Sequence, residues 1–139
     1  NKQLYYESFS ECNNPLNRGE LTYFCEVFFQ IIHKAQNDIL IELSQKKEKM
    51  DHLANLMREK NLSEELNRIL FVIGQNYIFG IEGKGISQAE LMSSLEKTKY
   101  VVKKSLDQLS EEGLIEYLKR RPVEVTLCES WRSQLESLQ

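Results

Sequence analysis

Apolar positions recur at helical spacing over most of the chain and at strand spacing only near its end. Phe24, Phe28, Ile31 and Ala35 lie four, three and four apart, and Val27 and Ile32 widen the stripe. That spacing lays them on one face of a helix. Ile39, Leu43, Met50, Leu53 and Met57 continue the seam, interrupted near Lys46 by the run KKEK. Neither Gly nor Pro occurs from Leu21 through Ile73, so the helix is expected to begin at Leu21, capped by Glu20, or a residue or two later, and to run to about Asn61. Ahead of it, residues 1–11 read as a shorter helix with Leu4, Tyr5 and Phe9 near one side, stopped by the Asn, Pro and Gly of NNPLNRGE. A helix of about 40 residues outruns so small a domain. Its apolar first half therefore calls for a second copy of itself or for a missing neighbour.

Asn61-Leu62-Ser63 has the form of a glycosylation sequon, but Ser63 reads better as an N-cap, with Glu64 and Glu65 in the first turn where the helix dipole favours them. Leu66, Ile69, Leu70, Ile73 and Tyr77 form the buried stripe of that helix. Gly80–Gly85 is a loop whose GKG fails as a phosphate loop, because position 78 is Ile and position 85 is Gly. Ile86 is expected as one short strand. Ser87-Gln88-Ala89-Glu90 is a capping box; it opens a helix to about Leu95 with Ala89, Leu91, Met92 and Leu95 on its apolar side. Glu96 and Lys97 turn the chain, and Thr98 caps a second helix. There Val102, Leu106 and Leu109 share one face, while Lys99, Tyr100, Lys103 and Lys104 fall mostly on the other. Gly113 stands at C′. Leu114–Lys119 and Val123–Leu127 then make a hairpin tipped by Arg120-Arg121-Pro122, and Glu129–Gln139 makes a last helix with Trp131, Leu135 and Leu138 on one side.

From Gly85 to Leu127 this succession resembles the winged helix-turn-helix superfamily of bacterial regulators; TKYVVKKSLDQLSEEGLIEYL is similar to theirs throughout. With the flanking helices the likeness extends over residues 62–139. The expected fold is mainly α: a winged helix-turn-helix over 61–139, with a three-helix core and a small β wing, preceded by a helical arm over 1–60. The implied partner is double-stranded DNA, with the second helix in the major groove and the wing and helix ends on phosphates. Lys99, Tyr100, Lys103 and Lys104 are then the groove residues, Tyr100 and Lys103 the first choice for base contact. Ser87, Gln88 and Thr98 would reach phosphate from helix N-termini, and Lys119, Arg120 and Arg121 would straddle a flanking phosphate or minor groove. Some winged helices bind proteins instead, so an interaction or autoinhibitory module and a free-standing dimeric regulator with a small effector stay open.

Composition narrows this reading without changing it. A net charge of −3 excludes a polybasic coat, so nucleic-acid binding has to come from local patches. Cys12, Cys25 and Cys128 are odd in number and far apart, which argues against a disulfide framework or a zinc site and for a reducing cytoplasm. No apolar run of about 18 residues is present, so no membrane span is expected. His33 and His52 have no nucleophile at local spacing. No enzyme activity, cofactor or metal is expected of this chain.

A second resemblance covers about residues 1–45. Asn1-Lys2, Tyr5-Tyr6, a polar loop and Arg18-Gly19-Glu20-Leu21-Thr22-Tyr23-Phe24 are similar to the segment after the catalytic loop in Fic-family proteins, which transfer AMP from ATP to protein hydroxyls. Several members carry a C-terminal winged helix. The family's HPFxxGNGR signature does not occur here, so no catalytic residue is carried over. With Asn1 in place of an initiating Met, the resemblance implies the regulatory tail of a longer enzyme, pairing through the long helix once freed.

Overall fold

Glu20 fixes where the long helix begins. Its carboxylate accepts the Thr22 N–H at 2.8 Å, and the bonds to Thr22 hold its pKa below the usual carboxylate value. The computed structural model describes residues 2–138, so the outer ends of the expected first and last helices, Asn1 and Gln139, lie outside the described residues. In chain order the elements are α1 (Lys2–Cys12), a 3-10 turn (Pro15–Asn17), α2 (Thr22–Glu59), α3 (Glu64–Phe79), β1 (Ile86–Ser87), α4 (Gln88–Leu95), α5 (Lys99–Glu111), β2 (Ile115–Arg120), β3 (Val123–Leu127) and α6 (Glu129–Glu136). Among the described residues no helix is long and apolar enough to cross a membrane.

The chain divides into two units, Asn1–Ser44 and Gln45–Gln139. In the first, α1 and the start of α2 meet through aromatic rings. Phe24 has Tyr5 at 5.8 Å and Phe9 at 6.1 Å edge-on, and Phe28 stacked at 5.9 Å between centroids. Val27 and Ser8 are buried there, and the Ser8 hydroxyl donates to Tyr5 O at 2.8 Å. Much apolar surface stays open: Phe29 is 67% exposed, Leu40 63% and Ile41 60%.

The second unit is a winged helix-turn-helix. Its sheet runs β1-β3-β2, all antiparallel. The core joins α3, α4, α5, the sheet and α6 through Ile69, Leu70, Ile73, Leu91, Val102, Leu106, Leu109, Val125, Leu127, Trp131 and Leu135, all buried. Leu53 and Met57 belong to the same core. This unit begins at Gln45, inside α2, whereas the expected winged-helix domain begins at residue 61. The reason is packing: Leu53 Cδ2 fills the space where a Cβ on Gly74 would stand.

The helix ends follow the local chemistry. Ser63 Oγ accepts the Leu66 N–H at 3.4 Å, as an N-cap should. At the end of α5, Gly113 takes φ +70°; the Leu114 N–H reaches Leu109 O and the Gly113 N–H reaches Ser110 O, both at 3.0 Å. These two bonds are a complete Schellman motif, with Leu114 and Leu109 as its apolar pair. Thr98 departs from expectation: it holds the N-cap position of α5 in extended backbone, yet its side chain makes no capping bond.

Candidate nucleic-acid interface

The second helix of the helix-turn-helix, α5, is sorted cleanly into two faces. Val102, Ser105, Leu106 and Leu109 are buried, and Lys99, Tyr100, Lys103 and Lys104 are exposed. Tyr100 is 76% exposed, high for an aromatic residue. Among the described residues none of these lysines has an ion-pair partner. Residues 1–44 hold three Lys/Arg against six Asp/Glu, which accounts for the whole net charge of −3. Residues 45–139 are therefore net neutral, and the exposed end of α5 is a local positive patch rather than part of a basic coat.

The turn before α5 is tight. Glu96 takes φ +52° at the end of α4, and the Lys97 N–H returns to Met92 O at 3.1 Å. Gln88 bridges the two helices, its Nε2 donating to Lys99 O at 3.4 Å, so its amide is partly spent on aligning α5. Thr98 keeps its hydroxyl free of any capping bond and can donate it outward.

Two of the expected phosphate ligands have partners within the fold. Ser87 sits in the capping box: its Oγ donates to Glu90 Oε2 at 2.7 Å and accepts the Glu90 N–H at 3.2 Å, while its own N–H donates to Glu90 Oε2 at 2.8 Å. A hydroxyl has one proton, and that of Ser87 is already given away. The Ser87 bonds hold the Glu90 carboxylate below its usual pKa, which keeps a negative charge beside Ser87. Lys119 is the second. Its Nζ lies 2.8 Å from Glu124 Oε2, and Glu124, buried in β3, accepts the Gly85 N–H at 2.8 Å through its other oxygen. The bond from Lys119, then that from Gly85, hold the Glu124 carboxyl below its usual range against the burial that raises it.

Arg120 and Arg121 remain as exposed cations at the hairpin tip. Arg120 packs over the Tyr117 ring, 5.4 Å from its centroid. The Tyr117 hydroxyl donates to Asp107 Oδ1 on α5 at 3.0 Å; burial first, and then this bond, push its pKa up to about 12. On the far side of β2, Glu116 accepts the Glu129 N–H at 3.0 Å and pairs with Arg132 at 2.7 Å, which fixes the start of α6. Sequence reading missed Tyr117, Asp107 and Glu124. The one available signal was Glu124 itself, a lone acid between Val123 and Val125 in an apolar strand.

No protein-family model matches this chain, and no curated protein does. The similarity of residues 1–45 to the Fic family therefore rests on the quoted residues alone. Among solved structures, MepR, a transcription regulator of the Staphylococcus aureus multidrug efflux pump MepA, is 19% identical with a TM-score of 0.42, over 75% of this chain and 72% of that one. A mutant MarR from E. coli complexed with operator DNA is 18% identical with a TM-score of 0.44, over 79% and 74%. A MepR mutant from a multidrug resistant S. aureus clinical isolate is 20% identical with a TM-score of 0.43, over 83% and 72%. Likeness of this degree says nothing of what this chain binds.

Proposed function

We propose that residues 45–139 bind double-stranded DNA, with α5 in the major groove and the hairpin tip on the flanking backbone, in the service of transcriptional control. One observation carries the reading: unpaired Lys99, Lys103 and Lys104 stand with exposed Tyr100 on the face of α5 opposite its buried stripe. An α-helix with its first turns free of the domain fits the major groove, where Lys reads guanine edges and phosphates position the helix. Tyr100 and Lys103 supply base contacts. Lys99, Lys104, Arg120 and Arg121 supply the electrostatic part, with Thr98 donating to phosphate at the start of α5. Ser87 and Lys119 hold the fold, and Gln88 aligns α4 with α5.

The test is binding to a labelled random duplex across a salt series, with Lys103→Glu/Arg120→Glu beside the wild type. Affinity falling log-linearly with salt, and collapsing in the double variant, is the expected result. Equal and negligible binding by both at low salt would turn the reading toward a protein partner.

We further infer that two copies pair through residues 1–44, whose open apolar side chains are the kind of surface that drives association. Twofold pairing presents two recognition helices to one duplex, as half-sites require.

A further inference from the structure

The register of the hairpin decides which way its cations point. β2 and β3 pair Tyr117 with Val125, Lys119 with Glu124 and Arg120 with Val123. Leu118 is thus an extra residue on β2, a β-bulge. Residues opposite one another in a sheet share a face, and successive residues alternate. Regular alternation along β2 would put Tyr117 and Lys119 on one face and Arg120 on the other. The bulge resets the phase, which is how bulges re-aim side chains. Arg120 now shares the face of Tyr117, Val123 and Val125, while Lys119 goes with Glu124 and Ser87. Val125 is fully buried in the core, so the first of these is the helix side of the sheet.

On that side the contacts form a chain. Arg120 lies over the Tyr117 ring, within reach of a cation–π attraction, and the Tyr117 hydroxyl is bonded to Asp107. Asp107 stands one turn beyond Lys103 and Lys104 on α5. A free arginine side chain has many rotamers to lose on binding, and a pre-aimed one has fewer.

We propose that Tyr117 is a positioning residue for DNA binding: tied to α5 through Asp107 and lying under Arg120 because of the bulge at Leu118, it fixes the Arg120 guanidinium relative to the recognition helix. Helix and wing then engage one duplex as a single rigid reader. This rests on the DNA-binding reading above, and it assigns Lys119 no share in it.

The experiment uses the full chain as wild type, Tyr117→Phe, Tyr117→Leu, Arg120→Gln and Tyr117→Leu/Arg120→Gln, each checked by thermal unfolding. The first readout needs no DNA. The Arg120 side-chain protons in the free protein are expected to show an upfield ring-current shift in the wild type and in Tyr117→Phe, lost in Tyr117→Leu. The second is duplex affinity against salt. Arg120→Gln flattens the slope by about 0.9, one phosphate's worth. Tyr117→Leu does the same, and the double variant goes no further. Tyr117→Phe keeps the slope but loses about fivefold in affinity with its bond to Asp107, so the test survives if Tyr117→Leu does not fold.

Additive effects of Tyr117→Leu and Arg120→Gln, or a Tyr117→Phe indistinguishable from wild type in affinity, would overturn the proposal. So would an unshifted Arg120 in the wild type. A wild type with the shift in place but no duplex binding at about 50 mM salt overturns the DNA reading, and the positioning role falls with it. The two failures are thereby told apart.

Discussion

Leu53 and Gly74 touch side chain to backbone: the Leu53 Cδ2 atom fills the position of a Cβ on Gly74, with Cδ1 and Cγ 3.3 Å from it. Leu53 is fully buried, so it has no open space to retreat into. Gly74→Ala is expected to destabilise the fold by about 1–3 kcal/mol, the usual cost of overpacking, although Ala is the better helix former. Combining it with Leu53→Ala should cost less than the sum of the two, since the new methyl fills part of the hole. Denaturant unfolding of the four proteins checks this, and strict additivity would sink the contact.

Glu96 holds φ +52° at the end of α4, a left-handed conformation that costs a side-chain-bearing residue about 1–2 kcal/mol. Glu96→Gly relieves the strain and pays back part of it in unfolded-state entropy. The expected net is a gain of roughly 0.5–1 kcal/mol, seen as a rise in Tm with duplex binding unchanged. A fall in Tm would mean the Glu96 side chain does something in the turn that its backbone does not reveal.

In the folded protein the bond from Lys119, then that from the Gly85 N–H, hold the Glu124 carboxyl below its usual range. A group of this kind binds fewer protons folded than unfolded, so its stabilisation is complete above about pH 5 and drains away as pH falls through the folded value. Glu124→Gln should therefore be less stable than wild type at neutral pH, with the gap closing as the pH falls below about 4. Unfolding midpoints of both proteins from neutral to acid pH measure it. A gap that stays constant would assign the effect to shape and not to charge.

Lys119 spends its charge on Glu124. Lys119→Met is expected to leave the salt slope of duplex binding as it is, whereas Arg121→Gln, at an exposed tip residue, flattens it by about 0.9. Equal flattening by both would return Lys119 to the interface.

The caps and stripes of this chain were legible because they are local. Ser63, the Ser87–Glu90 box, Gly113 and the Val102–Leu106–Leu109 face each depend on neighbours within a turn or two, and each stands where spacing put it. The ties among Tyr117, Asp107 and Arg120 were not legible, because they depend on one extra residue in the pairing of β2 with β3, and nothing in IEYLKR announces Leu118 as unpaired. The tie between Leu53 and Gly74 was hidden for a similar reason. The expected boundary followed the helix break near residue 60, whereas Leu53, earlier in α2, packs on Gly74 of α3.

Open apolar surface on residues 1–44 includes Phe28 and Phe29, 41% and 67% exposed. Sedimentation at high micromolar concentration is expected to give a mass near twice the 16.3 kDa of one chain, and Phe28→Glu/Phe29→Glu to return it to one. A monomeric wild type under those conditions would rule out the pairing.

Strand β2 is clasped from both sides at adjacent positions, Glu116 by the start of α6 and Tyr117 by α5. Lifting α6 away breaks the bonds to Glu116, and lifting α5 away breaks the bond to its neighbour Tyr117. Hydrogen exchange should accordingly find the amides around Asp107, Tyr117 and Arg132 opening together as one slow block, while the tip at Arg121 exchanges on its own, much faster clock.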